Sequence, residues 1–158
     1  MITPELTHVG ILVENLAADI ERYSRILGLH FRPPNPASFA IIEEGGASAP
    51  AELWMTYSME GPPYVELMQA TGSGVWSAAQ GFGLHHIGGF ASELAQWVRR
   101  FEQLNLEPEA RIFTPGGELL IVYFRPSGLM GTRYELISDA LRPQWASWVA
   151  GGPPPGHN

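Results

Sequence analysis

The feature that most restricts how this chain can fold is an internal duplication. A segment beginning at Thr7, THVGILVENLAADIERYSRILGLHF, has a counterpart beginning at His85, HHIGGFASELAQWVRRFEQLNLEPE. Both open with a histidine inside a short apolar run, continue through a polar break into an amphipathic stretch, and finish in another extended run. The halves also close alike, with Tyr64-Val65-Glu66-Leu67-Met68 in the first and Arg133-Tyr134-Glu135-Leu136-Ile137 in the second. The copies are 78 residues apart at His8 and His86 and 69 apart at Glu66 and Glu135, a difference that loop insertions and deletions leave between two copies of one module.

Each copy reads as β-α-β-β-β. In the first, residues 6–13 alternate as a strand does. Asn15 suits an N-cap, Leu16, Ile20, Tyr23 and Leu27 follow at helical spacing, and Gly28 stands where a helix ends in the left-handed conformation. Strands are expected over 38–44, 52–59 and 63–69, separated by turns rich in Gly, Pro and Ala. The second copy has a strand over 84–91 and a helix from Ser92 to about Asn105, whose apolar stripe is Leu94, Trp97, Val98, Phe101 and Leu104. Strands near 109–113, 118–124 and 132–138 complete it. The expected fold class is α+β: two tandem βαβββ modules, over 5–70 and 83–138, forming an open, cleft-bearing barrel of mixed sheet as one domain over 1–138. Residues 70–83 link the modules. A C-terminal helix over 140–149 and a flexible tail, GGPPPGHN, make up 139–158.

Composition removes several mechanisms. The 158 residues include no Cys, which excludes disulfides, thiolate nucleophiles and Cys–zinc sites. All nine basic residues are Arg, which excludes Schiff-base lysines and the lysine of a phosphate-binding loop. No G-x-S-x-G elbow occurs, which argues against a serine hydrolase. A net charge of −7 makes nucleic acid and anionic membranes poor partners. No run of about 18 apolar residues or secretory signal is read, so a cytoplasmic protein is expected. Five His and 16 carboxylates remain to carry chemistry.

Strand alternation brings some of these together. His8, Gly10 and Leu12 share the face opposite Val9, Ile11 and Val13. His86, Gly88 and Phe90 oppose Ile87, Gly89 and Ala91. Tyr64, Glu66 and Met68 oppose Val65 and Leu67, and Arg133, Glu135 and Ile137 oppose Tyr134 and Leu136. Each module thus offers one His and one Glu on the face away from its helix, and a pseudo-twofold pairing converges all four. Two imidazoles and two carboxylates form a metal site by ligand type, and two Glu balance one divalent ion. Such an ion has room for a substrate with two neighbouring oxygens, acts as a Lewis acid and stabilises an enolate. Zn, Ni, Co, Mn, Mg and Fe all suit this donor set.

These residues, His8-Val9-Gly10-Ile11, Glu66, Gly83-Leu84-His85-His86-Ile87 and Tyr134-Glu135-Leu136, resemble the vicinal oxygen chelate superfamily. It includes glyoxalase I, methylmalonyl-CoA epimerase, extradiol dioxygenases and bleomycin- and fosfomycin-resistance proteins. The resemblance spans residues 6–138 and is strongest to the epimerase- and glyoxalase-like branch. It implies metal ligands at His8, Glu66, His86 and Glu135. Of the adjacent histidines, repeat alignment selects His86 and turns His85 to the opposite face. The implied activity is a metal-dependent isomerase, epimerase or lyase on a small α-oxygenated carbonyl compound. The competing readings are an Fe(II) extradiol-type dioxygenase on His8, His86 and Glu135, and a non-enzymatic drug-binding protein. Glu66 argues against the dioxygenase, which does not use the carboxylate ending the first module. Candidate bases are Glu135, Glu66 and Glu44, although Glu43-Glu44 also reads as a solvated turn before Gly45-Gly46. Arg133 could hold a substrate carboxylate or pair with Glu135, while Tyr64, Met68 and Phe90 line the pocket. A homodimer is expected, with Trp145 and Trp148 covering the core or the dimer contact. His30 reads as a surface residue, and His157 lies in the tail.

Overall fold

Both ends of the first helix follow from local chemistry. In the computed structural model, which describes residues 4–155, α1 runs from Leu16 to Leu27. The Asn15 side chain accepts from the Ala18 amide, and Gly28 ends the helix at φ 71°, where a side chain would be strained. The apolar stripe of α1 packs through Leu16, Ile20 and Tyr23 onto Val13, Val65 and Leu67. Those residues lie on β1, His8–Val13, and β4, Tyr64–Gln69. Between these strands in the chain lie β2, Asn35–Glu44, and β3, Ala47–Tyr57.

The second module repeats the order with β5, Gly83–Ala91; α2, Leu94–Gln103; β6, Pro108–Phe113; β7, Leu119–Phe124; and β8, Tyr134–Ser138. Helix α2 covers its own sheet through Leu94 and Val98 against Val122, Phe124 and Leu136. Leu67 and Leu136 occupy equivalent places beneath the two helices and are wholly buried. Truncating either to Ala would cost about 2–5 kcal/mol.

The strands form one ring in the order β1-β4-β3-β2-β6-β7-β8-β5, closed by β5 against β1. The sequence suggests an open barrel; hydrogen bonding closes it, because the modules meet at two antiparallel seams, β1/β5 and β2/β6. Within each module the first strand runs parallel to the last. Inward residues including Leu12, Ile42, Leu53, Met68, Phe90, Ile112 and Ile137 form the barrel core. Alternation therefore sorts each strand as expected, one face to a helix and the other to the interior.

One seam is irregular. Gly10 pairs with His86, but Ile11 pairs with Leu84, so His85 is an extra residue bulged out of the ladder. Beyond the modules, α3 spans Arg142–Val149 and packs Trp148 and Val149 against Tyr57. The following segment folds back: Gly152 accepts from Arg32 at 2.9 Å, and Pro155 reaches the wall of the barrel cavity. Through residue 155 the tail thus has partners that its composition does not suggest; His157 lies outside the described residues. Among the described residues, no helix is long and apolar enough to cross a membrane.

Candidate metal centre

Four strands deliver the four expected donors. His8 enters from β1, Glu66 from β4, His86 from β5 and Glu135 from β8, all essentially buried. His8 Nε2 lies 3.0 Å from His86 Nε2. Glu135 Oε2 is 2.8 Å from His8 Nε2 and 3.4 Å from His86 Nε2. Glu66 Oε2 is 3.3 Å from His86 Nε2 and 3.8 Å from His8 Nε2. The site is built within one chain, across the β1/β5 seam.

The glycines of the repeat make this convergence possible. Gly10 faces His86 across the seam and Gly88 faces His8. A Cβ at Gly10 would land inside the His86 ring, and one at Gly88 would collide with the His8 ring and meet Glu135 Oε2 at 2.8 Å. Each module's histidine therefore lies over the other module's glycine, which is why His-x-Gly occurs twice.

The residue before each histidine sets its tautomer. The Thr7 hydroxyl donates to the Gly88 carbonyl at 3.3 Å, leaving a lone pair 3.1 Å from His8 Nδ1. His85 Nε2 lies 2.8 Å from the Val75 carbonyl, which can only accept, so that nitrogen carries the proton. His85 Nδ1 is then an acceptor, 2.9 Å from His86 Nδ1. In both modules Nδ1–H is tied down and the Nε2 lone pair points at the cluster, the arrangement that orients metal-bound imidazoles. Burial, reinforced by His86, lowers the pKa of His85 to about 3 and keeps it neutral.

The expectation that His85 turns to the opposite face is therefore corrected. The bulge leaves it beside His86 on the interior side, edge-on to Tyr123 with ring centroids 5.9 Å apart.

Two phenols, not anticipated from the sequence, complete the centre. Tyr57 of β3 stands opposite Glu66 and Tyr123 of β7 opposite Glu135, both phenols buried beside the cluster. Burial, and then the two carboxylates, push both phenols well above their ordinary pKa, so they remain neutral donors. The usable signal was register: each Tyr ends or nearly ends the strand that pairs with a Glu-bearing strand.

The donor set fits a divalent cation on two observations. Among the described residues, Glu66 Oε2 and Glu135 Oε2 are buried with no hydrogen-bond partner, and two imidazole lone pairs face each other at contact distance. His8, Glu66 and His86 each offer an atom within 4.8 Å of the others, and Glu135 adds a fourth at the distances above. Without a cation, a proton takes its place. Burial lowers the pKa of His86, but Glu135 and Glu66 more than offset this and bring it to about 9. Burial likewise opposes the ionisation of Glu135, yet His86 and His8 hold its pKa well below the usual carboxylate range.

The remaining expected residues are distributed differently. Phe90, Glu66 and Glu135 line the cavity. Met68 is wholly buried in the barrel core, and Tyr64 packs edge-on against Trp145 at 5.2 Å; neither lines the cavity. Arg133 is held at 2.8 Å by Glu109 and also by Gln80 and the His85 carbonyl, so its guanidinium is committed to the fold rather than offered to a ligand. Glu44 accepts the Val75 amide at 2.6 Å and anchors the inter-module linker, away from the cavity wall. It sits at the β2/β6 seam opposite Ala110, where its carboxylate serves the loop carrying the His85 acceptor. Trp145 is a cavity wall and not only a core cover. His30 is exposed and paired with Glu60.

A search of curated proteins finds no match. Among solved structures, a methylmalonyl-CoA epimerase in complex with methylmalonyl-CoA is similar at 17% identity, with a TM-score of 0.61 over 88% of this chain and 96% of that one. A Streptomyces coelicolor methylmalonyl-CoA epimerase variant matches at 16% identity, TM-score 0.62, over 88% and 99%. The Mycobacterium tuberculosis methylmalonyl-CoA epimerase matches at 20% identity, TM-score 0.59, over 87% and 92%. At these identities the likeness is one of fold. The family model described as glyoxalase/bleomycin resistance protein/dioxygenase superfamily matches residues 7–124, most of the chain. On that match, and with a paired-module barrel beneath it, the chain belongs to the glyoxalase/bleomycin resistance protein/dioxygenase superfamily.

Proposed function

We propose that this protein is a metal-dependent isomerase or epimerase acting on a small α-oxygenated carbonyl compound. The observation that carries the reading is the buried cluster itself: two imidazoles and two carboxylates from equivalent strands, with both carboxylates opening onto one cavity. His8, Glu66, His86 and Glu135 would hold one divalent ion, which when bound polarises a carbonyl oxygen as a Lewis acid. The chain supplies the proton handling. Glu66 and Glu135 line the cavity and can take a proton from the carbon beside the carbonyl or return it. They come from opposite halves of the barrel, so one can remove a proton and the other deliver it at a different face. Tyr57 and Tyr123 stand across a strand pair from Glu66 and Glu135. The inward, buried Glu66 favours this reading over ring cleavage, which needs only His8, His86 and Glu135.

The test is α-proton exchange. Protein supplemented with Mn(II) is incubated in D2O with simple α-hydroxyketones, and loss of the α-proton signal is followed by NMR. The reading expects exchange that requires the metal and falls at least about a hundredfold, the lower end for a lost general base, in Glu66→Gln or Glu135→Gln. No exchange on any such compound, or oxygen uptake with catechols in its place, would overturn it.

A further inference from the structure

The cavity over Glu66 and Glu135 has a volume of about 320 Å3, enough for a compact ligand of one or two rings. Its wall is unusual in charge. Among the described residues that line it there is no Arg and no His; Glu66 and Glu135 are its only ionisable groups apart from the phenols. The chain has no Lys to reach in from elsewhere. Three nearby arginines lie off that wall: Arg133 is paired with Glu109 at 2.8 Å; Arg142, 4.7 Å from the centroid of the Phe90 ring, is paired with Asp139 and Glu5 at 2.9 and 2.8 Å; and Arg32 donates to the Gly152 carbonyl, its Nε buried without a partner among the described residues. The polar groups left on the wall are neutral: Asn35, Ser38, Thr114 and Gln144.

Six aromatic rings supply much of the remaining surface: Phe39, Tyr57, Phe90, Phe113, Tyr123 and Trp145. Trp145 makes tilted and edge-on contacts with Phe90 and Tyr57, centroids 5.0 and 5.7 Å apart, so these walls are fixed by packing before any ligand arrives. Part of the wall lies outside the duplicated modules. Leu141, Gln144, Trp145 and Pro155 come from the C-terminal segment, beyond the stretch that the family model matches.

We infer that the substrate of this site is an uncharged, ring-bearing α-hydroxyketone-type compound, its oxygens toward Glu66 and Glu135 and its apolar body against the aromatic wall. This rests on the function proposed above for the choice of reacting end; the charge and shape of the body rest on the cavity alone. An anionic group on that body would lose its water against an aromatic wall that carries no cationic side chain. The site thereby departs from the CoA thioesters bound by the similar structures.

The test is calorimetric titration of the full chain, Mn(II)-loaded and metal-free, with three probes: phenacyl alcohol, its para methyl ester and its para carboxylate. The neutral pair should bind, and the carboxylate should bind at least about tenfold more weakly than the ester, whose size it matches. Placing a cation on the wall, Thr114→Arg or separately Ser38→Arg, should narrow that gap. Equal or tighter binding of the carboxylate by the unaltered protein, or no binding of either neutral probe at millimolar concentration, would overturn the inference. A gap that persists in a folded arginine variant would also count against it. Binding without α-proton exchange would sink the proposed reaction and leave this inference standing, whereas exchange favouring the carboxylate would do the reverse.

Discussion

The two modules of the barrel place their donors symmetrically and support them differently. His8 and His86 each lie over the other's glycine, and Glu66 and Glu135 each face a tyrosine across a strand pair. Behind His8 stands a single hydroxyl, Thr7, closed locally on Gly88. Behind His86 stands a second imidazole, His85, placed by a bulge and anchored to the Val75 carbonyl of the inter-module linker. That linker is held in turn by Glu44. Duplication fixes where ligand atoms must converge; the residue before each histidine, Thr7 or His85, and what it leans on decide how firmly each is held. The second module's histidine should therefore be the more dependent on distant structure.

The largest effects should come from breaking the symmetric part. Replacing His8 or His86 by Ala should each abolish stoichiometric divalent-ion binding, measured by elemental analysis of dialysed protein, because either loss strands two buried carboxylates. Gly10→Ala and Gly88→Ala should act alike, since each drives a methyl into the opposing imidazole; a loss of about 1–3 kcal/mol in denaturant unfolding is expected for both.

Asymmetry should appear one layer out. His85→Ala should weaken metal affinity by about 10–100-fold, the usual cost of losing an outer partner to a ligand histidine. Thr7→Val, which keeps its shape and removes only the hydroxyl, should cost less. Competition with a fluorescent chelator would rank them, and the reverse order would overturn the comparison.

Proton linkage gives a subtler contrast. In metal-free protein the pKa of His86 is raised to about 9, so its protonated form stabilises the fold fully below its ordinary value of 6.5. That stabilisation should be lost as pH rises through about 9. The midpoint of thermal unfolding of the apo protein should therefore fall between pH 6.5 and 9, with a smaller fall in the metal-loaded form. Metal affinity should rise over the same window, as the proton that the ion displaces becomes easier to remove. The smallest effects separate the helices. Asn15→Ala should cost α1 about 1 kcal/mol. Glu93→Gly, at a helix start with φ 53° and no side-chain cap, should cost nothing or stabilise by a few tenths of a kcal/mol.

The repeat, the strand faces and both ends of α1 were legible because each depends on short-range periodicity or on one residue's conformational preference. The convergence of His8, Glu66, His86 and Glu135 was legible for the same reason, because each takes the inward register of its strand. His85 was misread because a bulge breaks period-two alternation, and nothing in Gly83-Leu84-His85-His86 marks where the extra residue falls. The partners of Arg133 and Glu44 were not legible, because an inward or end-of-strand position says nothing of groups contributed by β6 and the linker. Tyr57 and Tyr123 escaped because their role depends on cross-strand register, which a single strand's pattern does not carry. The stretch after the C-terminal helix read as a flexible tail by composition, yet through residue 155 Arg32 and the barrel cavity give it partners.

Titration of dialysed protein with Co(II), followed by its visible absorption, reaches the centre of this account most directly. One ion per chain should bind to the unaltered protein, with both intensity and affinity reduced separately by His8→Ala, Glu66→Gln, His86→Ala and Glu135→Gln. A spectrum that survives unchanged in any one of the four, or an unaltered chain that binds no ion, would contradict it.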